Sequence, residues 1–310
     1  MHFPLWIATL FVLCGTGVIG AESPPSSLAY ILQADSFAKS KDAAVEALTR
    51  CQRDWIVLDA TFSGDQSWER SDLDAIRRGH AERKVIAYIS IGEAEDYRPY
   101  WRKDWGAAGK LTTAAPTWLG AENPEWKGNY RVKYWQADWQ RIILAAMDDA
   151  MAHGFDGVYL DIIDGFETFE QVNKDFVADR ENPDTKQSYR RDMVDFVKAI
   201  AARVRAQNPA ALVIPQNGSQ LLVHADFMNV ISAIGIEDLF TNGNKLQSKS
   251  DTDERLGYLK KIISASKPVL LIEYPTSAER QAFAKKLAQE HGLVWLVTDR
   301  PLKTLGESGK

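Results

Sequence analysis

Apolar residues recur along this chain in short β-type runs separated by stretches of helical period. The runs are Ala29–Gln33, Trp55–Asp59, Lys84–Ile91, Gly157–Asp161, Leu212–Gln216, Ala233–Glu237, Val269–Glu273 and Val294–Asp299. They are dense in strand-forming apolar residues, and turn residues punctuate several of their ends. Between them, helical patterns fall at Ala43–Thr49, Asp72–Gly79, Gln136–His153, Tyr189–Gln207, Thr252–Ser266 and Ala278–Glu290, with a shorter one near Ser219–Phe227. Strands alternating with helices build right-handed βαβ units and a parallel sheet. Eight such strands predict an α/β chain folded as a single (β/α)8 TIM-type barrel rather than an open doubly wound sheet. The first strand is not followed by Gly-x-Gly-x-x-Gly, which argues against a dinucleotide fold. Two connections are long, Gly92–Trp135 after the third strand and Ile162–Ser188 after the fourth. Loops of this length in compact domains usually carry function. In this barrel they lie on the C-terminal face, where the active site sits.

The first residues break the pattern. Pro4 to Gly20 is apolar, and Gly20-Ala21 places small residues before the polar Glu22-Ser-Pro-Pro-Ser-Ser27. This predicts a cleaved signal peptide over residues 1–21 and a secreted or periplasmic domain over 22–310. Cys14 lacks the small preceding residue of a lipidation site. If it leaves with the signal, Cys51 remains alone, with no intramolecular disulfide to form, and reads as buried. No later run is long and apolar enough to cross a membrane. With 310 residues and 45% hydrophobic content, the chain has material for a large core. Charged residues make up 25%, and the net charge of −5 comes without any basic run, which excludes nucleic acid as an expected partner. A monomer is expected.

Chemistry enters where the apolar runs end in acids: Asp59, Glu93 just past the third run, Asp161, Glu237 and Glu273. An ionisable group there is costly unless paired or used. A parallel barrel gathers these ends at one rim. Alternation along the fourth strand puts Gly157, Tyr159 and Asp161 on the inner face and Val158 and Leu160 on the outer. In the sixth strand Ala233, Gly235 and Glu237 face inward. Asp156, at the start of its strand, belongs to the opposite rim and to structure. Two inward carboxylates are the minimum equipment of a glycosidase. The five histidines form no His-x-His or His-Glu-x-x-His pair, so neither a metal site nor any other cofactor is expected. There is no Gly-x-Ser-x-Gly elbow. The segment after the third strand carries Tyr97, Tyr100, Trp101, Trp105, Trp118, Trp126, Tyr130, Tyr134, Trp135 and Trp139. About two thirds of these are expected to pack the long loop, leaving the rest to offer faces to sugar rings.

Several blocks resemble a known family in order. They are Ser90-Ile-Gly-Glu-Ala-Glu-Asp-Tyr-Arg-Pro-Tyr-Trp101, the run Trp118–Trp135, Gly154–Asp164, Pro215-Gln-Asn-Gly218 and Gly235-Ile-Glu-Asp-Leu-Phe240. From about Leu28 to Asp299 the chain resembles the endo-α-1,4-polygalactosaminidases of glycoside hydrolase family 114. The resemblance implies a barrel that cleaves α-1,4-linked galactosamine polymers with retention of configuration. It implies Asp161 as nucleophile and Glu237 as acid/base, roughly 5–5.5 Å apart for a retaining pair. Asp59, Glu93, Asp164 and Glu273 would bind substrate or tune these groups, and Gln33, Tyr88, Asn217 and Tyr274 would contact hydroxyls and amines. A polycationic amino-sugar polymer suits a carboxylate-rich mouth. An α-glycosidase of neutral galactosides and a non-catalytic glycan-binding barrel remain the alternatives.

Overall fold

Each of the eight apolar runs contains a strand, and the eight strands run parallel. The computed structural model describes residues 24–310 apart from Asp65 and Ala108, so the expected signal peptide lies outside the described residues. One sheet holds, in order, β1 (Leu28–Ile31), β2 (Trp55–Asp59), β3 (Lys84–Ser90), β4 (Gly157–Asp161) and β5 (Leu212–Pro215). A second holds β6 (Ile234–Glu237), β7 (Val269–Glu273), β8 (Val294–Val297) and the antiparallel β9 (Glu307–Gly309). The crossovers carry α1 (Lys41–Arg50), α2 (Arg70–Arg78), α3 (Ala137–His153), α4 (Tyr189–Gln207), α5 (Ala225–Val230), α6 (Lys249–Ser264) and α7 (Ala278–Glu290). Serine hydroxyls at Ser40, Ser188, Ser248 and Ser277 accept from the third backbone N–H of α1, α4, α6 and α7 and fix their starts. An eighth helix does not follow β8 among the described residues; β9 occupies that place in the chain.

The sheets meet at one residue pair, where Gln216, just past β5, bridges to Gly235 of β6 in parallel. Gln216 N donates to Leu160 O at 2.8 Å and Asn217 N to Gly235 O at 2.9 Å, so this junction ties β4, β5 and β6 together. At the other edges, Leu28 N of β1 donates to Ser308 Oγ at 2.7 Å, and Leu32 N to Leu302 O at 2.9 Å.

Alternation sorts the apolar side chains into two layers. One cluster takes inner residues from seven of the parallel strands and from Ala233, which directly precedes β6: Tyr30, Val57, Tyr88, Tyr159, Ile214, Ala233, Ile272 and Leu296 are among them. The other lies between strands and helices and includes Ile56, Leu58, Val158, Leu160, Ile234 and Ile236. The inner layer is aromatic beneath the rim, with Tyr159 and Tyr30 ring centroids 5.2 Å apart. Tyr159 fits only because residue 235 has no side chain: a Cβ there would sit 1.8 Å from Tyr159 Oη.

The long connections hold structure of their own. After β3, Glu93–Glu95, Asn129–Val132 and Leu119–Glu122 form a three-stranded antiparallel sheet. The aromatic residues there mostly build its core. Trp105, Trp118, Tyr130, Tyr134 and Trp139 are buried, and only Tyr97 and Trp126 of the ten are exposed. Trp118 packs between Trp105 and Trp139. After β4 come a 3-10 turn over Ile163–Phe166, a short helix over Glu167–Glu170 and a two-stranded hairpin. At the opposite rim the buried Arg83 guanidinium donates to Leu48 O, Ile76 O and Cys51 O, capping the carbonyl ends of α1 and α2. Asp156 sits at that rim too, taking Arg77 Nε at 3.0 Å and Val85 N at 2.8 Å.

Gly235→Ala forces Tyr159 to move and is expected to destabilise the fold by about 1–3 kcal/mol, the usual range for overpacking. Tyr159→Phe in the same chain should return part of the loss. Urea unfolding of the single and double variants checks both, and additive effects would contradict the contact.

Candidate active site

Three adjacent strands end in the same way. Asp161, Gln216 and Glu237 stand at the ends of β4, β5 and β6, and the residue after each adopts a left-handed backbone: Ile162 at φ 56°, Asn217 at 62° and Asp238 at 49°. For a β-branched residue such as Ile162 this conformation is strained. It turns Ile162 N back to donate to Asp161 Oδ1 at 2.8 Å. Gly92 makes room for it, since a Cβ at 92 would meet Ile162 O at 2.1 Å. The Asn217 side chain serves a similar end, its Oδ1 accepting from Glu237 N at 3.1 Å. Arg255 holds the last carbonyls of the β6 turn, donating to Glu237 O at 2.6 Å and Asp238 O at 2.9 Å.

Asp161 and Glu237 are brought together by one amide. Gln216 Nε2 donates to Asp161 Oδ1 at 2.9 Å and to Glu237 Oε2 at 3.0 Å. The two bonds share a nitrogen, so these oxygens stand no farther apart than the sum of the two lengths. Asp161 also accepts from Tyr88 Oη at 2.6 Å, which gives its carboxylate three donors. Burial raises its pKa while those donors oppose the rise. Glu237 has two donors, Gln216 and the Tyr274 hydroxyl. Its pKa is pushed up to about 8, first by burial and then by the Asp161 charge. The two environments differ: more donors oppose the rise at Asp161, while burial and the Asp161 charge leave Glu237 favouring its protonated form near neutrality.

The remaining sequence candidates divide by what surrounds them. Tyr88 and Tyr274 each donate to one carboxylate of the pair. Asp164 lies on the turn just past β4, half-buried, and is pushed up to about 7 by burial and by Glu167 and Asp161. Gln33 lies two residues past the end of β1 and is exposed. Asp59 grips the Arg98 guanidinium at 2.8 and 2.7 Å, and Arg98 Nε reaches Glu95 at 2.5 Å. That carboxylate is engaged in anchoring the loop after β3. Glu93 is sealed: Asn123 Nδ2 donates to Oε1 at 2.8 Å, and Oε2 is buried without a partner. Glu273 is fully buried, and Phe240 N, Thr241 N and the Thr241 hydroxyl occupy both of its oxygens. It anchors the turn after β6.

Gln216 is the main residue that strand-end acids alone do not reveal. Alternation does: Leu212 and Ile214 lie in the inner cluster, so residue 216 continues their face. Arg300 is another, its guanidinium 4.2 Å from the Tyr274 ring centroid and bonded to Asp238 at 2.8 and 2.9 Å. It lies past the last apolar run, where no pattern marks it. Among the described residues no group of three or more His, Cys, Asp and Glu is arranged to hold a metal ion, and no helix is long and apolar enough to cross a membrane.

Comparison with known proteins follows this geometry. The model of glycoside-hydrolase family GH114 matches residues 25–309. An uncharacterized protein of Deinococcus radiodurans is 34% identical over 251 residues, which are 81% of this chain and 74% of that one. One from Methanocaldococcus jannaschii is 35% identical over 240 residues, 76% of this chain; the match spans 64% of that relative's length. Among solved structures, the glycoside hydrolase domain of PelA from Pseudomonas aeruginosa superposes with a TM-score of 0.63 at 19% identity, covering 92% of this chain and 98% of that one. Aspergillus fumigatus Ega3 in complex with galactosamine gives 0.64 at 19% identity, covering 91% and 94%. These two likenesses establish a shared fold.

Removing the Asp161 charge removes one cause of the high Glu237 pKa. In Asp161→Asn, the Glu237 carboxyl is expected to titrate roughly one unit or more lower, as read by 13C NMR of labelled glutamate. An unchanged midpoint would mean that the two carboxyls do not interact.

Proposed function

The chain belongs to glycoside-hydrolase family GH114 and is a glycoside hydrolase, and from that premise we propose that it cleaves α-1,4-linked galactosamine-containing polysaccharide internally, with retention, on the rim of a closed (β/α)8 barrel. The observation that carries the mechanism is the pair of hydrogen bonds that Gln216 Nε2 donates to Asp161 and Glu237. It limits how far Asp161 Oδ1 and Glu237 Oε2 can stand apart, which supports the close spacing, roughly 5–5.5 Å, of a retaining pair. Asp161, the carboxylate with more donors, is the nucleophile. Glu237 carries the proton for the leaving oxygen, then accepts one from the water that releases the glycosyl-enzyme. The inner cluster drawn from seven of the parallel strands and from Ala233 at the start of β6, and the bond from Leu28 of β1 to Ser308, support closure. The galactosamine polymer is supported by the family and by the half-buried Asp164 beside the pair, which suits an ammonium-bearing sugar. We read the mature protein as a secreted monomer.

The test is release of reducing ends from purified polygalactosamine, with Asp161→Asn and Glu237→Gln each expected to lose at least about 10²-fold in kcat/KM while staying folded. Full activity in both variants would refute the assignment. Cleavage of neutral α-galactosides alone would refute the polymer, and binding without cleavage would refute catalysis. The first-formed reducing end, followed by 1H NMR, should be the α anomer.

Because Glu237 acts first as an acid, kcat/KM should fall as pH rises through about 8. A pH profile with no descending limb near that value would place the proton elsewhere.

A further inference from the structure

We propose that Gln216 is a positioning residue whose single amide nitrogen sets the gap between the two reacting carboxylates. The proposal rests on the reading of Asp161 and Glu237 as the reacting pair.

An amide NH2 group has two hydrogens on one rigid plane. At Gln216 each is committed, one to Asp161 Oδ1 at 2.9 Å and one to Glu237 Oε2 at 3.0 Å. The opposite orientation would turn a carbonyl oxygen toward two carboxylates, so the chemistry of the neighbours decides which end faces them. The side chain has little freedom to do otherwise, because Gln216 is 3% exposed. Its backbone is pinned as well: its N–H is held by Leu160 O, and its bridge to Gly235 is the pairing that joins the two sheets. Leu160 directly precedes Asp161, and Gly235 lies two residues before Glu237. The residue that spaces the carboxylates is thus anchored to the two strands that carry them.

A neutral donor between two like charges does two things. It offsets their repulsion, which otherwise drives them apart or forces a second proton onto the site. It also fixes their distance, and that distance separates direct attack on the sugar from activation of an intervening water. The geometry divides the donors unequally, since Asp161 has Tyr88 and Ile162 N in addition and Glu237 has only Tyr274. Gln216 stabilises whichever carboxyl is ionised, and the extra donors select Asp161.

Gln216→Met keeps the length of the side chain and removes both bonds. It should lower kcat on polygalactosamine by about 10²-fold, the cost of losing a donor at a charged reacting centre, with KM little changed. The acid limb of kcat/KM should move up by roughly one pH unit as Asp161 loses a donor. A variant with unchanged limbs, or a loss of rate that only follows a lowered melting temperature, would overturn the proposal. A measurement on the wild type holds even if that variant fails to fold. The side-chain NH2 resonances of 15N-labelled Gln216 should shift over the same pH range as the Glu237 carboxyl. Flat resonances across that range would overturn the strut. A wild type that cleaves no polymer but shows the coupled shift would refute the functional reading and leave the strut standing.

Discussion

The parallel pairing of Gln216 with Gly235 joins the five-stranded sheet to the second one, and it does so at the level where two acids must share a small space. Every other feature of the rim is arranged around that junction. Asn217, the next residue, turns left-handed and uses its side chain to hold the backbone N–H of Glu237. Gly235 has no side chain, which lets Tyr159 fill the floor beneath. A backbone seam and a charge spacing are thus the same few atoms, so the geometry of the carboxylates is as rigid as the sheet itself.

That rigidity is what makes two buried acids tolerable. Desolvating a carboxylate is expensive unless it keeps hydrogen-bond donors, and the rim supplies them from tyrosines, an amide and a strained backbone turn rather than from arginines. The cations are deployed elsewhere. Arg98 pairs with both Asp59 and Glu95 under the loop after β3, and Arg300 pairs with Asp238 and stacks on Tyr274. Had an arginine met Asp161 or Glu237 directly, it would have held both ionised and left no proton for a leaving group. Neutral donors preserve the difference between the two.

Much of this was legible in the chain before any coordinates. Period-two alternation told Asp161 from its neighbours, and Val158 and Leu160 do pack outward as that alternation requires. Asp156 stands at the opposite rim because it begins the strand that Asp161 ends. What escaped has a physical reason in each case. Glu273 ends its strand as Asp161 does, but whether the loop after the neighbouring strand folds over a carboxylate is a tertiary fact, and here Phe240 and Thr241 close over it. Asp59 pairs with Arg98 across 39 residues, a contact set by how the long loop packs. Gln216 was passed over because it carries no charge, although its parity on β5 marked its face. The GH114 match over residues 25–309 accords with the family resemblance of the ordered blocks.

The C-terminal strand has a consequence in time. Leu28 at the start of β1 obtains its backbone hydrogen bond from Ser308, 280 residues later, and Leu32 obtains its own from Leu302. The first strand's outer edge therefore stays unsatisfied until residues 302–308 have been synthesised. Contacts that span a whole chain slow folding, because their loop entropy is lost before they form. Completion of the sheets is necessarily late, and until then the growing chain carries an open edge available to a chaperone.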